Sequence, residues 1–472
     1  MFEPVIAPSG TLLGLLQRGR GDGTLHALTA PRAEALSALD HCVLNDPRHD
    51  WQVENRSLYY ARLYLDLNGE LDAVERHLFD PEDVLVTDDT RTGLALSVLG
   101  HLASYDRPDA LRMLRRYART GTNWAWALDE LALRDDDAAL RALAGPVLAR
   151  FPADAEGEAA LAAAVRDAFE PRPWRLWAED PRPEIGARVR AAQERGSFDR
   201  WQRQMEPSGP RPGWSVRAVL DWAQEGLERG AALHVPAARC LSAVAGPEDR
   251  AEILDAARHG TDGARGTALR YLADVRDPDV LDLLEEAAQS PSAAVVDVAA
   301  ETFERMRSAA AVQRARQWAG RPDALGAAAG RVLACRGGAE DSPLVLAALR
   351  EAVRGQGPDA PTLWPLVDGA GRLGIGCAAP VLRHVYRETA SSHLRGRAAR
   401  ALAATDPSFA AGFAVECLWD CEESTREVAA RHAETGDARV AAQLRRLATD
   451  PAEEDDVQSA VRSRIGPDAP AV

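Results

Sequence analysis

A chain of 472 residues is too long to share one compact core, so several domains or an extended array is expected. Apolar residues at 46% and charged residues at 27% suit a folded protein, while a net charge of −16 disfavours nucleic-acid binding, whose footprint is basic. All 56 basic residues are arginine, so a P-loop, a Schiff-base enzyme and a protein kinase are excluded, each of which needs a lysine. The abundance of Arg, Ala, Gly and Pro, whose codons are GC-rich, points to a bacterial genome. Cys42, Cys240, Cys335, Cys377, Cys417 and Cys421 are scattered, as expected of reduced thiols in a cytosol. The opening MFEPVIAPSGTLLGLL lacks a basic n-region, and no apolar run approaches the length of a membrane span, so a cytoplasmic protein is expected.

Residues 1–85 read as an N-terminal helical cap or divergent repeats, with RAEALSALDHCVL (32–44) and DWQVENRSLYYARLYLDL (50–67) the clearest helices. On a helix over 50–67, Tyr60, Leu63, Tyr64 and Leu67 form an apolar stripe. Gln52, Asn55, Arg56 and Tyr59 form a polar stripe beside it, either a face that recognises a ligand or side chains that bond between helices. Arg20-Gly21-Asp22 looks like an adhesion motif and is better explained as a turn. Residues 86–156 read as divergent repeats, in which Val98 and Leu102 align with Ala127 and Leu131 at a spacing of 29. Trp124 and Trp126 point to different faces of a helix start, which speaks against a stacking platform. Asp135–Asp137 suits a helix N-terminus.

Residues 157–230 read as an irregular junction rich in Arg, Trp and Pro, with a helix at 183–205. Ten arginines and eight acids between 166 and 211 make it net positive within an acidic chain. Trp214 and Trp222 lie at its edge. Trp174, Arg175, Trp177, Arg200, Trp201 and Arg203 are candidates for a binding edge that takes an anionic or aromatic ligand or a partner protein. The competing reading is tryptophans filling a joint, with arginines paired to local acids.

From 231 to 450 one unit recurs. Ala237, Ala268, Ala299, Ala329, Gly369, Ala398 and Ala429 are spaced by 31, 31, 30, 40, 29 and 31 residues. Four residues after each stand Leu241, Leu272, Phe303, Leu333, Leu373, Leu402 and Ala433, on the same helix face. The small residue admits a neighbouring helix and the larger one fills the space between. The spacing of 40 places an insertion near GQGPDAPT (355–362), where Gly and Pro mark a longer loop. Asp-Pro recurs at 46–47, 80–81, 180–181, 277–278, 406–407 and 450–451. The aspartate is expected to cap the following helix, with proline at its start. Residues 451–472 read as a C-terminal capping helix and tail, with Glu453–Asp456 solvated.

The Ala-x3-Leu helix, the Asp-Pro or Gly-Asp turn and the apolar second helix resemble the HEAT and HEAT-like repeat families, including the group named for phycobilin lyase subunits. The resemblance spans 231–450 and extends more weakly over 86–150. It implies an all-α, right-handed superhelical α-solenoid of antiparallel helix pairs, an armadillo-like superhelix.

The sequence carries no Gly-x-Ser-x-Gly, Gly-x-Gly-x-x-Gly or His-Glu-x-x-His motif. Cys417 and Cys421 lack the two further ligands that zinc needs and read as core cysteines. No catalytic residue, metal site or cofactor is assigned. The leading expectation is a non-catalytic scaffold binding a protein partner through an extended face, with nucleic acid and membrane disfavoured. Two alternatives stand beside it. One is a HEAT-like enzyme or maturation factor of the phycobilin-lyase or alkylpurine-DNA-glycosylase kind. The other is a sensor binding a small molecule at the 166–214 junction.

Overall fold

The computed structural model describes residues 6–48, 52–81, 90–204 and 213–465. Among these residues there are helices and no strands, and each helix packs against its neighbours. The chain forms two compact units, one of residues 1–206 with 389–399 and 408–472, the other of 207–388 with 400–407.

In the second unit, helix–turn–helix pairs follow one another. They are His234–Val244 with Arg250–His259, Asp262–Asp274 with Val280–Ala287, Ala293–Arg305 with Ala309–Trp318, Ala324–Arg336 with Ser342–Gln356, and Leu363–Arg372 with Ala379–Glu388. The first helix of each pair packs on the first helix of the next, and Val216–Glu228 also packs on Asp262–Asp274. This explains the recurring small residue: Ala237, Ala268, Ala299 and Ala329 are fully buried, and Leu241, Leu272, Phe303 and Leu333 are buried with them. At Gly369 a Cβ would lie 2.5 Å from the Cβ of Ala334 and 2.7 Å from its Cα. Helix Leu363–Arg372 sits that close because nothing projects there. The 40-residue spacing comes not from the expected longer loop but from a lengthened second helix, Ser342–Gln356, ended by Gly357 at φ 83°, a conformation glycine adopts without steric cost. Leu373 falls at the C-cap of its helix and is half-buried.

In the first unit, the chain's early helices pack on its last ones. Tyr60, Leu63, Tyr64 and Leu67 are core residues as their spacing implies, and so are Val98, Leu102, Ala127 and Leu131. The backbone N–H of Cys421 donates to the Gly19 carbonyl at 2.9 Å. Arg62 reaches Asp450 at 2.8 Å and Glu453 at 3.1 Å, and Arg446 reaches Asp66 at 2.9 Å. The Glu54 carboxylate accepts the Ser392 backbone N–H at 2.6 Å, at the start of helix Ser392–Thr405. Glu453, expected in a solvated tail, is instead buried against Arg426 and Arg62, because the early helices cover it. Arg20 is buried and pairs with Glu416 at 3.1 Å, so its triplet is a packed turn.

The Asp-Pro turns depart from expectation. Asp277 does not cap the helix that follows, since Val280–Ala287 begins two residues after Pro278 with Asp279 at its N-cap. Its carboxylate instead accepts the Asp279 N–H at 3.0 Å and the Arg250 side chain at 2.7 and 3.0 Å. Asp180 likewise takes the N–H and guanidinium of Arg182, and Asp450 takes the Ala452 N–H together with Arg62 and Tyr105. An aspartate bonded to the N–H two residues on is a turn in its own right, and the intervening proline has no N–H to compete. Side-chain capping falls to other residues, among them Asp136, Asp154, Ser215, Ser308 and Asp323.

Candidate functional site

The polar stripe expected on a 50–67 helix does not form. The helix is Ser57–Asp66, so Gln52, Asn55 and Arg56 precede it. Asn55 Oδ1 accepts the Ser57 N–H at 2.8 Å, and Glu54 is drawn to Ser391 and Ser392. A side chain that bonds nearby backbone competes with helix. Arg56 is fully buried and donates to the Ala390 carbonyl at 2.7 Å, and Tyr59 is buried with its hydroxyl on the Arg20 carbonyl at 2.8 Å. Gln52 and Asn55 are exposed.

The junction is helical for most of its length: Ala155–Asp167, Arg172–Ala178 and Pro183–Gln204. Trp174 and Trp177 are core residues, packed edge to face at 4.9 Å between ring centroids, and Trp177 Nε1 donates to the Leu140 carbonyl at 2.8 Å. Trp124 joins them, with its ring 6.4 Å from that of Trp174. These tryptophans fill a joint and do not line a binding edge. Arg172, Arg182 and Arg188 pair with Asp137, Asp180 and Glu158. Arg175 is exposed. Arg200, Trp201 and Arg203 lie on Pro183–Gln204, and their side chains fall outside the described residues. Trp214 and Trp222 pack on each other at 5.2 Å in the other compact unit.

One polar line was not anticipated from the sequence. Trp126 Nε1 donates to Ser97 Oγ at 2.9 Å, Ser97 Oγ donates to Glu130 Oε1 at 2.8 Å, and Arg134 Nη1 donates to Glu130 Oε2 at 2.6 Å. Burial raises the Glu130 pKa above its ordinary value. Burial, helped by the charges of Arg134 and Arg62, pushes His101 down to about 4. Burial pushes Asp129 up to about 6. The line joins helices Thr90–Ser104 and Trp124–Arg134 by bonds that satisfy one another, so it serves packing. Among the described residues no three His, Cys, Asp or Glu side chains cluster to hold a metal. Cys417 is buried, and Cys421 Sγ accepts from Arg395 at 3.4 Å.

One open face lies in the second unit, across helices Val216–Glu228, Asp262–Asp274 and Ala293–Arg305; larger concavities lined by charged side chains lie at Asp72, Glu75, Arg76 and Arg116 and at Asp22, Glu416 and Asp437. A pocket of about 220 Å³ is floored by Ala223, Leu227, Leu233, Val298 and the backbone at Gly263 and Gly266, with His234, Asp262, Asp297 and Glu301 around it. The repeat explains the opening. Ala232, Gly263 and Ala294 share one register position at steps of 31, and Gly266 stands where the next repeat carries Asp297. A Cβ at Gly263 would lie 2.7 Å from the Ala223 carbonyl oxygen, and one at Gly266 would lie 3.2 Å from Val298. The Gly263 N–H donates to Gln224 Oε1 at 2.9 Å, which ties the helix start to Val216–Glu228. At the rim Glu301 accepts Arg270 at 3.3 Å and lies 3.2 Å from His234 Nε2, while Ser292 Oγ donates to Asp262 at 2.6 Å. Asp297 is exposed and makes no ion pair with a described residue. The signal was readable in principle: two glycines three apart on a first helix, in register with Ala294 and Asp297.

No protein-family model matches the chain, and no curated protein matches it. None of the described helices is long and apolar enough to cross a membrane.

Proposed function

We propose that the chain is a HEAT-like, right-handed superhelical α-solenoid that acts as a non-catalytic scaffold, holding a partner protein along the first-helix face of its regular repeats. The observation that carries this reading is the groove between Val216–Glu228 and the first helices Asp262–Asp274 and Ala293–Arg305, where Gly263 lets Val216–Glu228 pack close and Gly266 leaves space before Val298. Burial of the repeat's small and large positions supports it, because it assigns those residues to packing between neighbours and leaves the outward register for contact. The pocket's 220 Å³ is below the ~300–1,000 Å³ usual for small-molecule sites, so it suits an anchoring side chain of a larger partner. The test is affinity capture from lysate of the native host, followed by size-exclusion chromatography. A partner recovered at near-stoichiometric yield is expected, and capture that returns none overturns the reading.

A further inference from the structure

We infer that the groove formed by Ala223, Leu227, Gly263, Gly266 and Val298 takes a partner segment bearing one apolar anchor side chain flanked by arginine or lysine. The inference rests on the scaffold reading and adds the chemistry of the partner.

Shape and charge each contribute. The floor offers aliphatic side chains and bare glycine backbone, which reward burial of an apolar group and offer little to a polar one. Its volume holds a side chain and not a whole ligand. Around the floor stand Asp262, Asp297 and Glu301, with His234 and Arg270 both held against Glu301, at 3.2 and 3.3 Å. Arg270 is itself buried and shared between Glu301 and Asp274, at 3.3 and 3.6 Å. Asp297 is therefore available to a cation from outside, one helical turn before Glu301 on the same helix face. A guanidinium or ammonium next to the anchor would meet a carboxylate at the groove edge, whereas an acidic flank would meet like charge. The chain's net charge of −16 steers in the same direction and disfavours a second copy as the occupant.

The experiment uses the full chain, immobilised, and a random peptide library displayed on phage, with counter-selection against Gly266→Leu. Enriched peptides are then synthesised and their affinities measured by fluorescence anisotropy against wild type, Gly266→Leu and Asp297→Arg. Circular dichroism checks each variant. Asp297→Arg changes an exposed side chain, so it reports on the groove even if Gly266→Leu fails to fold. The expected result is peptides with a Leu- or Met-class residue flanked by Arg or Lys. Affinity should fall about tenfold or more in either variant, and should weaken as salt rises from about 50 to 200 mM. Acidic or charge-neutral consensus peptides, binding indifferent to both variants, or no enrichment overturns the inference. The scaffold reading fails separately: a native partner captured equally well by wild type and Gly266→Leu preserves that reading while removing this groove from it.

Discussion

The Arg395 and Asp420 side chains are both fully buried and meet side-on, Nε on one carboxylate oxygen at 2.7 Å and Nη2 on the other at 3.0 Å. The same Nε and Nη2 geometry recurs at Arg250 with Asp277, Arg316 with Asp341 and Arg426 with Glu453. An ammonium has no such fork, which gives a structural use to a chain whose basic residues are all arginine. Removing one partner strands the other charge in the interior, so Asp420→Ala should lower the unfolding free energy by about 3–5 kcal/mol, read by denaturant titration. The exposed Arg354–Glu351 pair should change stability by less than ~1 kcal/mol when broken. Two groups set opposed pH dependences. His101 titrates near 4 when folded against an ordinary 6.5, so the unfolded chain binds its proton more readily in between. Its contribution to stability is complete above about 6.5 and is lost as pH falls towards 4. Asp129 is raised from 3.8 to about 6, and its contribution runs the other way, lost as pH rises through that window. Thermal melts of His101→Gln should therefore decline less on acidification than wild type, and those of Asp129→Asn more; parallel curves for all three would refute both assignments.

At the scale of helices, contact is decided by what is absent from the packing face. Gly369 and Gly330 stand against Ala334 and Ala348, and a Cβ added at either glycine would lie 2.5 Å from the alanine Cβ it faces. At Gly369 the Ala334 backbone is also in the way, and backbone cannot rotate aside. Gly369→Val should cost about 1–3 kcal/mol through overpacking, measured as a lower denaturation midpoint with an unchanged slope. A wild-type midpoint would show that the helices can part there. Local bonding sets where helices begin. Asn55 and Glu54 hold the chain before Ser57, so the expected 50–67 helix loses its first turns.

For the whole molecule, one compact unit draws on both early and late parts of the chain. Arg62 is the clearest link within it, because it binds Asp450 and Glu453 while Tyr105 also reaches Asp450 at 2.6 Å. Arg62→Ala should increase amide exchange in Ser57–Asp66 and Asp455–Ile465 together, although the two are far apart in sequence. Faster exchange confined to Ser57–Asp66 would mean that the late helices stand without it. The second unit, built of successive neighbours, should show no such change.

Helix content and the register of the small and large core positions were determined by the sequence alone; the expected longer loop near 355–362 was instead a lengthened helix, Ser342–Gln356. Helix content and register follow from local periodicity: a residue four places on lies on the same face whatever the rest of the chain does. The apolar stripe through Tyr60, Leu63, Tyr64 and Leu67 was legible for the same reason. Tertiary structure decided the rest. Trp174, Trp177, Arg56 and Tyr59 are residue types that serve equally at a binding edge or in a core, and only their burial distinguishes the two. Of the Asp-Pro aspartates, readable as caps, Asp277, Asp406 and Asp450 were taken by the distant Arg250, Arg383 and Arg62, while Asp46 and Asp180 hold the arginines two residues on. The open groove at Gly263 and Gly266 needed a third helix, Val216–Glu228, to give it a wall. Periodicity reports which way a residue faces; what it meets there depends on contacts that sequence distance does not encode.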